Sequence, residues 1–399
     1  MRDLQPPSQQ TLRVARWLLL SLGVGFWLCH LPGFIQDDIR LYHSAIERLH
    51  EGALPYRDRD FPYPPYALAW LFLPGVFGNV DGFWIAFMLE VFVCDLVLKG
   101  VLLSTGARLV TGWLSLLPCA FYSVAAALQH FLYFQRLDVF AVATTTIALV
   151  LVPCARWFAA GLLIGIAGGT KLYALLFAPA LAFMAWRQEK ARRFLGGLYA
   201  SFFPLAVLGV WIPWWEFALS HTGRGLQVES LYASLLWLLN KMGILAMEWV
   251  RVADFFEVQG PGAAALSVAS KVIWGVLVVC SVWRSCRAAR VANELKFGAL
   301  VQTIWLPVLA FVTFGPVLST QFMLWVAPLA ALVVLDNGRA AGALYMLAAV
   351  LTPVVFPSPE YVTGLTLAQT LALVTRHLLL VALWVHEWLA LGARHKGKA

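Results

Sequence analysis

The sequence predicts an all-α, polytopic membrane protein, from its hydropathy, the length of its apolar runs and the placement of its basic residues. Mean hydropathy is +0.76, and 61% of the 399 residues are hydrophobic, including 18 tryptophans. Many apolar runs approach the roughly 20 residues that a helix needs to cross a bilayer. A soluble globular protein is therefore excluded. The formal charge of +8 falls in short clusters between these runs, as topology signals do, and does not indicate nucleic-acid binding.

The basic clusters define the expected topology, because the positive-inside rule places them in the cytoplasm together with both termini. The clusters are Arg2, Arg13 and Arg16; Arg187, Lys190, Arg192 and Arg193; Arg284, Arg287, Arg290 and Lys296; and Arg394, Lys396 and Lys398. About 12 spans follow, an even number as the termini require: 16–35, 83–104, 111–131, 139–155, 157–170, 172–186, 194–213, 263–283, 297–315, 322–335, 340–356 and 367–391. The first span is expected to be a retained signal anchor.

The same topology predicts which loops share the extracytoplasmic side. They are 36–82, 132–138, Lys171, the second large loop 214–262, 316–321 and 357–366. The apolar stretch from Tyr66 to Gly78 is too short to span and is expected in the interface or as a re-entrant piece. Within a span, Asp95 and Lys99 are one helical turn apart, so we expect them to pair.

The first loop carries an unusual density of charge, since residues 37 to 65 hold ten of the fifty formally charged side chains. Apolar residues recur there at helical spacing: Ile39, Tyr42, Ile46 and Leu49. This pattern predicts an amphipathic helix from Asp38 to Glu51 that lies in the interface and ends at Gly52. Asp37 and Asp38 stand at its start, where carboxylates are favoured by capping and by the helix dipole. The sequence leaves open whether they only cap the helix or act in catalysis.

Five segments in order carry a family resemblance. They are Asp38-x-x-x-Tyr42 with Gly52, Pro55-Tyr56-Arg57-Asp58 and Phe61-x-Tyr63-Pro64-Pro65; Gln135-Arg136-x-Asp138; Lys171-Leu-Tyr; Gln227-x-Glu229-Ser230-Leu231; and Ser319-x-Gln321-x-x-Leu-Trp325-x-x-Pro328. Together they resemble the GT-C superfamily, in particular glycosyltransferase family 87, the polyprenol-phosphate-mannose-dependent α-mannosyltransferases. A more distant resemblance is to the mannosyltransferase that adds the first mannose in GPI-anchor assembly. Pro62 and Ala174 depart from the family pattern, which leaves the donor sugar open.

The resemblance implies a GT-C fold in one integral membrane domain (1–399), with a core module at 16–213 and C-terminal helices at 263–399. It implies an inverting hexosyltransferase, with mannose the expected sugar, in a bacterial inner membrane with its active site on the extracytoplasmic side. The donor is a polyprenyl-phosphate sugar and the acceptor a lipid or glycan. No tightly bound cofactor and no metal ligand set are expected, and dependence on a divalent metal is left open.

Residue roles follow from the same resemblance and from charge. Asp38 is the expected general base, with Asp37 as a second catalytic carboxylate. Lys171, Arg136 and Arg224 are candidates for binding the donor phosphate, because a phosphate near hydrocarbon needs cationic partners. For Lys171 the alternative is snorkelling at a helix end, and for Arg136 it is an ion pair with Asp138. The substrate-binding candidates are Tyr42, Tyr63, Gln135, Asp138, His221, Gln227, Glu229 and Gln321.

A transporter or flippase of lipid-linked sugars is the rival function. Transporters often contain two related halves and ionisable residues at the bilayer midplane. Here the halves are dissimilar and the charges concentrate in one loop, which favours an enzyme.

Overall fold

The structure is a computed structural model that describes residues 7–30, 35–58, 61–221, 223–252, 255–291, 297–335 and 338–396, with the backbone alone at 30, 220–221, 255, 291 and 394–396. Helices form nearly all of its regular structure. They are α1 (Gln9–His30), α2 (Asp37–His50), α3 (Tyr66–Leu71), α4 (Val80–Leu109), α5 (Leu117–Ala127), α6 (His130–Tyr133), α7 (Asp138–Leu151), α8 (Trp157–Thr170), α9 (Ala178–Arg187), α10 (Ala191–Leu208), α11 (Leu231–Lys241), α12 (Ala263–Val291), α13 (Phe297–Phe314), α14 (Met323–Val333), α15 (Arg339–Val355), α16 (Glu360–Thr363) and α17 (Leu367–Lys396). Short 3₁₀ turns lie at Pro74–Val76, Gly112–Leu116, Leu172–Phe177, Trp214–His221 and Thr320–Phe322.

One hairpin departs from the predicted all-α fold. Strand β1 (Glu248–Val252) pairs antiparallel with β2 (Phe255–Gln259) inside the second large loop. Valine and aromatic residues dominate both strands, and these residue types favour extended backbone. Gln227 forms an isolated bridge to Glu257 of β2. The hairpin therefore holds the segment that carries the predicted loop residues.

The long apolar helices show that the chain is an integral membrane protein. Among the described residues, four helices are long and apolar enough to cross a bilayer: Gln9–Cys29, Ala263–Arg290, Phe297–Phe314 and Leu367–Ala393. In the apolar windows of α1 and α12, only 11% and 17% of the residues are buried, whereas 89% are buried in α13. Because exposed helices of this composition are stable in hydrocarbon and not in water, α1 and α12 face lipid while α13 lies in the protein core.

Several other apolar helices are shorter than a bilayer is thick. Helices α7 and α8 have 14 residues each and α14 has 11. At about 1.5 Å per residue, these lengths are well below the roughly 30 Å of hydrocarbon. The number of 12 spans and the cytoplasmic termini therefore stay predictions. Tyr66 to Gly78 contains only the six-residue α3 and a 3₁₀ turn at Pro74–Val76, too short to span by itself.

Contacts bring the loops with basic clusters together at one end of the helices, which we call the basic end. The Arg187 guanidinium donates to the carbonyl oxygen of Arg290 at 2.6 Å, joining the ends of α9 and α12. Arg284 donates to the carbonyl oxygen of Trp388 in α17 at 3.1 Å. The ends of α9 and α12 therefore lie side by side, with the C-terminal part of α17 against α12.

The predicted extracytoplasmic loops meet at the other end, which we call the site end. The Gln36 N–H donates to Gln135 Oε1 at 3.0 Å, and the Gln227 N–H donates to the carbonyl oxygen of Pro316 at 3.1 Å. The contacts bring these loops together, and the side of the membrane on which they lie stays a prediction.

A buried ion pair lies within α4. Lys99 Nζ donates to Asp95 Oδ2 at 2.6 Å, confirming the predicted pairing. The hydroxyls of Tyr133 and Tyr122 donate to Asp95 Oδ1 at 2.7 and 3.3 Å. Helix α1 covers the pair at Gly23, where a Cβ atom would lie 2.7 Å from Lys99 Nζ. The pair is hydrogen-bonded and closed over, which gives it a structural role.

Glycines let two core helices approach closely. A Cβ atom at Gly161 of α8 would overlap the backbone oxygen of Phe194 in α10, and one at Gly165 would overlap the Ser201 hydroxyl. This close packing fixes the position of α8, whose C-terminal end carries Lys171 into the site.

Candidate active site

The site begins at the first turn of α2. Gln36 is the N-cap of this helix and makes no side-chain cap bond, and Asp37 and Asp38 are the first two helical residues. Neither aspartate caps the helix, so the interpretation of the pair as caps alone is wrong. A negative charge in the first turn is still favoured by the helix dipole. Gly52, with a φ of 91°, follows the end of α2, as predicted.

Both carboxylate oxygens of Asp38 have partners. Oδ2 forms an ion pair with the Arg136 guanidinium, and Oδ1 accepts a hydrogen bond from the Tyr63 hydroxyl at 3.2 Å. The Tyr42 hydroxyl donates to the Tyr63 oxygen at 3.4 Å. Asp37 is exposed, and its charge acts on Arg136. The predicted base Asp38 is therefore held by a cation and a tyrosine. The sequence had suggested Asp138 as the ion-pair partner of Arg136, and the structure pairs Arg136 with Asp38.

Asp138 lies next to this pair at the start of α7 and is fully buried. Its Oδ1 accepts a hydrogen bond from Trp325 Nε1 at 2.6 Å. Its Oδ2 lies 3.4 Å from Lys171 Nζ, an ion-pair distance. The Lys171 ammonium also lies 4.5 Å from the centre of the Tyr63 ring, in cation–π range. With its side chain only 12% exposed, Lys171 does not snorkel to water.

Arg224 completes a group of three cations. Its charge acts on Tyr63, on Glu257 and on Lys171, so it belongs to the same site. Arg136 also acts on Lys171. The three cations that the sequence indicated, from segments 136, 171 and 224, thus lie within electrostatic range of one another. Each has a carboxylate close by: Asp38 for Arg136, Asp138 for Lys171 and Glu257 for Arg224.

Burial decides how these groups titrate. It lowers the pKa of Arg136 to about 10 and lowers the pKa of Lys171, an effect that Asp138 opposes. Burial also raises the pKa of Tyr63 to about 12, so this hydroxyl stays protonated and donates to Asp38. Arg136 and Lys171 are desolvated, so their positive charges become more favourable when a further anion binds beside them. Such a site suits the phosphate of a ligand.

Glu229 lies in a second, buried cluster. Its Oε2 is 3.2 Å from Arg376 Nη1 and also accepts from the Thr320 hydroxyl. The Tyr361 hydroxyl donates to Oε1 at 2.9 Å, and His377 Nε2 lies 2.7 Å from the Glu229 carbonyl oxygen. Both carboxylate oxygens are occupied, so this cluster ties the large loop to α17. The Glu229 cluster also lies within electrostatic range of the three cations, because the charge of Arg136 acts on Tyr361.

The remaining predicted residues lie near these two clusters, with one exception. Gln135 is buried and holds the Gln36 N–H. Gln227 is buried, and its side-chain Oε1 has no hydrogen-bond partner within the described ranges. Gln321 is buried in the 3₁₀ turn beside Thr320, the residue that donates to Glu229. The side chain of His221 lies outside the described residues.

Four residues of these clusters were not predicted from the sequence. Arg376, His377 and Tyr361 surround Glu229, and Glu257 acts on Arg224 and accepts from the Gly225 N–H at 2.8 Å. Arg376 could have been predicted from the sequence, because an arginine inside an apolar span is costly in a membrane and marks an interaction. Nothing local in the sequence distinguishes Tyr361 or Glu257.

Comparisons with known proteins do not identify a family for this chain. No protein-family model matches the sequence, and no curated protein matches it. Among solved structures, the chain is similar to the crystal structure of ArnT from Cupriavidus metallidurans bound to undecaprenyl phosphate. The identity is 17%, the match covers 94% of this chain and 77% of that chain, and the TM-score is 0.42. A likeness this distant supports no conclusion about activity.

Fold and site together define a class, a polytopic helical membrane protein with a charge-dense, largely buried site between its loops. Among the described residues, no group of three or more His, Cys, Asp or Glu side chains is placed to hold a metal ion.

Proposed function

We propose that this protein is an inverting glycosyltransferase that transfers a hexose from a polyprenyl-phosphate sugar to a lipid-linked or cell-envelope acceptor on the extracytoplasmic face. Asp38 is the general base in this proposal, and mannose is the sugar that the family resemblance favours. The donor phosphate binds Lys171, Arg136 and Arg224.

One observation carries the proposal: a carboxylate and three cations converge from four separate segments. Asp38 opens α2, Arg136 precedes α7, Lys171 ends α8 and Arg224 lies in the second large loop. Desolvated cations are costly in a membrane protein and mark functional sites. A base adjacent to an anion-binding group is what transfer from a phosphate carrier requires, since one step must remove a proton and release a phosphate.

The donor phosphate has the cations available to it at low cost. Lys171 and Arg136 are already desolvated, so the energy of removing water from them is not required again on binding. As the bond between the sugar anomeric carbon and the phosphate oxygen breaks, negative charge grows on the leaving phosphate. The same cations stabilise that charge, and the bond electrons leave with the polyprenyl phosphate.

Asp38 serves the other half of the reaction. The acceptor hydroxyl attacks the anomeric carbon from the face opposite the phosphate, and its proton passes to the Asp38 carboxylate. Because Arg136 holds Asp38 before the donor binds, a phosphate that competes for Arg136 weakens this ion pair. Donor binding thereby increases the basicity of Asp38 at the point where the base is needed.

The decisive experiment incubates the purified, full-length protein in nanodiscs with isotopically labelled polyprenyl-phosphate hexoses and a native lipid extract. Mass spectrometry follows the label. Transfer of label to an acceptor lipid or glycan by wild type, and its absence with Asp38→Asn, is the expected result. Protein-dependent movement of the labelled lipid across a vesicle bilayer, with no new glycosidic product, would instead identify a flippase.

A further inference from the structure

A cavity lies at the basic end, and none of its lining residues belongs to the proposed active site. It lies between the ends of α9 and α12 and is lined by Phe183, Trp283, Cys286, Arg287 and Arg290. Its volume is about 480 Å³, within the range of small-molecule binding sites. The hydrogen bond from Arg187 to the Arg290 carbonyl oxygen, 2.6 Å long, joins the two helix ends and fixes the shape of the cavity.

Aromatic walls and guanidinium groups are combined in this cavity. The Arg290 guanidinium lies 4.4 Å from the centre of the Phe183 ring, and the Arg287 guanidinium lies 5.5 Å from that of Trp283. Both distances are in cation–π range. Planar stacking of this kind orients the charges and leaves their N–H groups available to a ligand.

The charge balance of the cavity is positive. Within the described ranges, neither Arg287 nor Arg290 has an acidic side chain at ion-pair distance. Both arginines are exposed at their helix ends, and Trp283 is exposed one turn deeper on lipid-facing α12. A ligand there would meet cations at headgroup level and an apolar wall below them.

From this arrangement we propose that the cavity binds the headgroup of an anionic phospholipid, such as phosphatidylglycerol. The Arg287 and Arg290 guanidinium groups donate hydrogen bonds to the lipid phosphate, which arginine binds in bidentate fashion. Phe183 and Trp283 contact the glycerol and the first acyl carbons. Basic pockets between helices at the cytoplasmic interface bind anionic lipids. The site is separate from the proposed donor site and does not depend on the proposed glycosyltransferase activity.

The test titrates delipidated full-length protein in detergent with phosphatidylglycerol and follows binding by native mass spectrometry. Wild type is expected to bind one phosphatidylglycerol more than about tenfold more tightly than the variant Arg287→Gln/Arg290→Gln, since each of the two cations contributes about fivefold to the affinity for an anionic lipid. The matched control is Arg192→Gln/Arg193→Gln, which removes two exposed arginines at the start of α10 and is expected to bind like wild type.

Further arms distinguish the sources of the phosphate. Phosphatidylcholine and inorganic phosphate are expected to compete poorly, because the first carries no net charge and the second lacks an apolar part. Equal loss in the control variant, equal binding of phosphatidylcholine, or displacement by inorganic phosphate would each overturn the proposal. Trp283→Ala, which keeps the charges and removes a wall, is a second variant that is expected to weaken binding, and wild-type affinity there would also count against the site.

Discussion

At the scale of the residue, Asp38 and Arg136 form the contact with the greatest consequence. A carboxylate bound to an arginine is a weaker base than a free one, because the charged form is stabilised. The proposed base is therefore least active when the donor is absent. Such an arrangement protects against proton removal from an acceptor before a sugar is in place.

Asp38→Asn is expected to lower kcat about 10²-fold or more, because asparagine keeps the shape but cannot accept a proton. The donor KM should not rise, since Arg136 loses a competing carboxylate. Steady-state kinetics with varied donor measure both values. Asp37→Asn is the control, because Asp37 is exposed and the Tyr63 hydroxyl donates its hydrogen bond to Asp38. Near-normal turnover by Asp38→Asn would move the base to another carboxylate.

Lys171→Gln is expected to raise the donor KM about tenfold or more, because a charge-assisted hydrogen bond contributes about 1.5 to 3 kcal/mol. The thermal unfolding midpoint in detergent serves as the control for folding. Unchanged donor kinetics would show that Lys171 only balances Asp138.

The pH dependence of donor use follows from the same lysine. Burial lowers the pKa of Lys171 from its usual 10.5, so the cation is present below the lowered pKa and is lost as the pH rises through it. The donor kcat/KM should therefore fall on the alkaline side before pH 10.5. Lys171→Arg should move this fall to higher pH. A fall that stays in place in that variant would assign it to Arg136, whose pKa burial lowers to about 10.

At the scale of the element, α2 and α17 show how far sequence patterns reach. The apolar spacing in α2 and Gly52 predicted its face and its end, because both are local properties. The Glu229 and Arg376 ion pair joins residues 147 positions apart, and no local pattern contains such a contact. The β1 and β2 hairpin was not predicted, although its strand pairs are local in the sequence.

Breaking the buried pair from one side is expected to destabilise the protein strongly. Arg376→Leu leaves the Glu229 carboxylate buried without its cation, a change that costs about 3 to 5 kcal/mol. The unfolding midpoint in detergent measures the loss. The double variant Glu229→Gln/Arg376→Leu should lose less than the sum of the two single variants, and a simply additive loss would show that the two side chains are not coupled.

At the scale of the whole molecule, the two ends of the helices separate a basic face from a charge-paired site. Positive clusters and apolar lengths predict which end faces the cytoplasm, because lipid imposes such a division on any spanning chain, and this orientation stays a prediction. The grouping of Asp38, Asp138 and Lys171 was indicated by the family resemblance and by the predicted topology, which puts their segments on one side. The contacts between these side chains could not be predicted from patterning, because helix order around a bundle leaves no trace in composition.

Topology is testable with single cysteines in a background without the six native ones. Glu51→Cys and Gly223→Cys are expected to react with an impermeant thiol reagent in intact cells, and Gln188→Cys is not. All three positions are exposed, so access to solvent does not differ among them. Labelling of Gln188→Cys alone would place the basic end outside the cell.

The Asp95–Lys99 and Glu229–Arg376 ion pairs also differ in when they can form during synthesis. Asp95 and Lys99 lie one turn apart on α4, so their charges can neutralise each other while that helix enters the membrane by itself. Arg376 lies on α17, and its partner Glu229 lies in a loop that is made earlier. An arginine inside an inserting apolar helix is costly until it is paired. The large loop therefore has to be in place before the Arg376 charge on α17 can be neutralised.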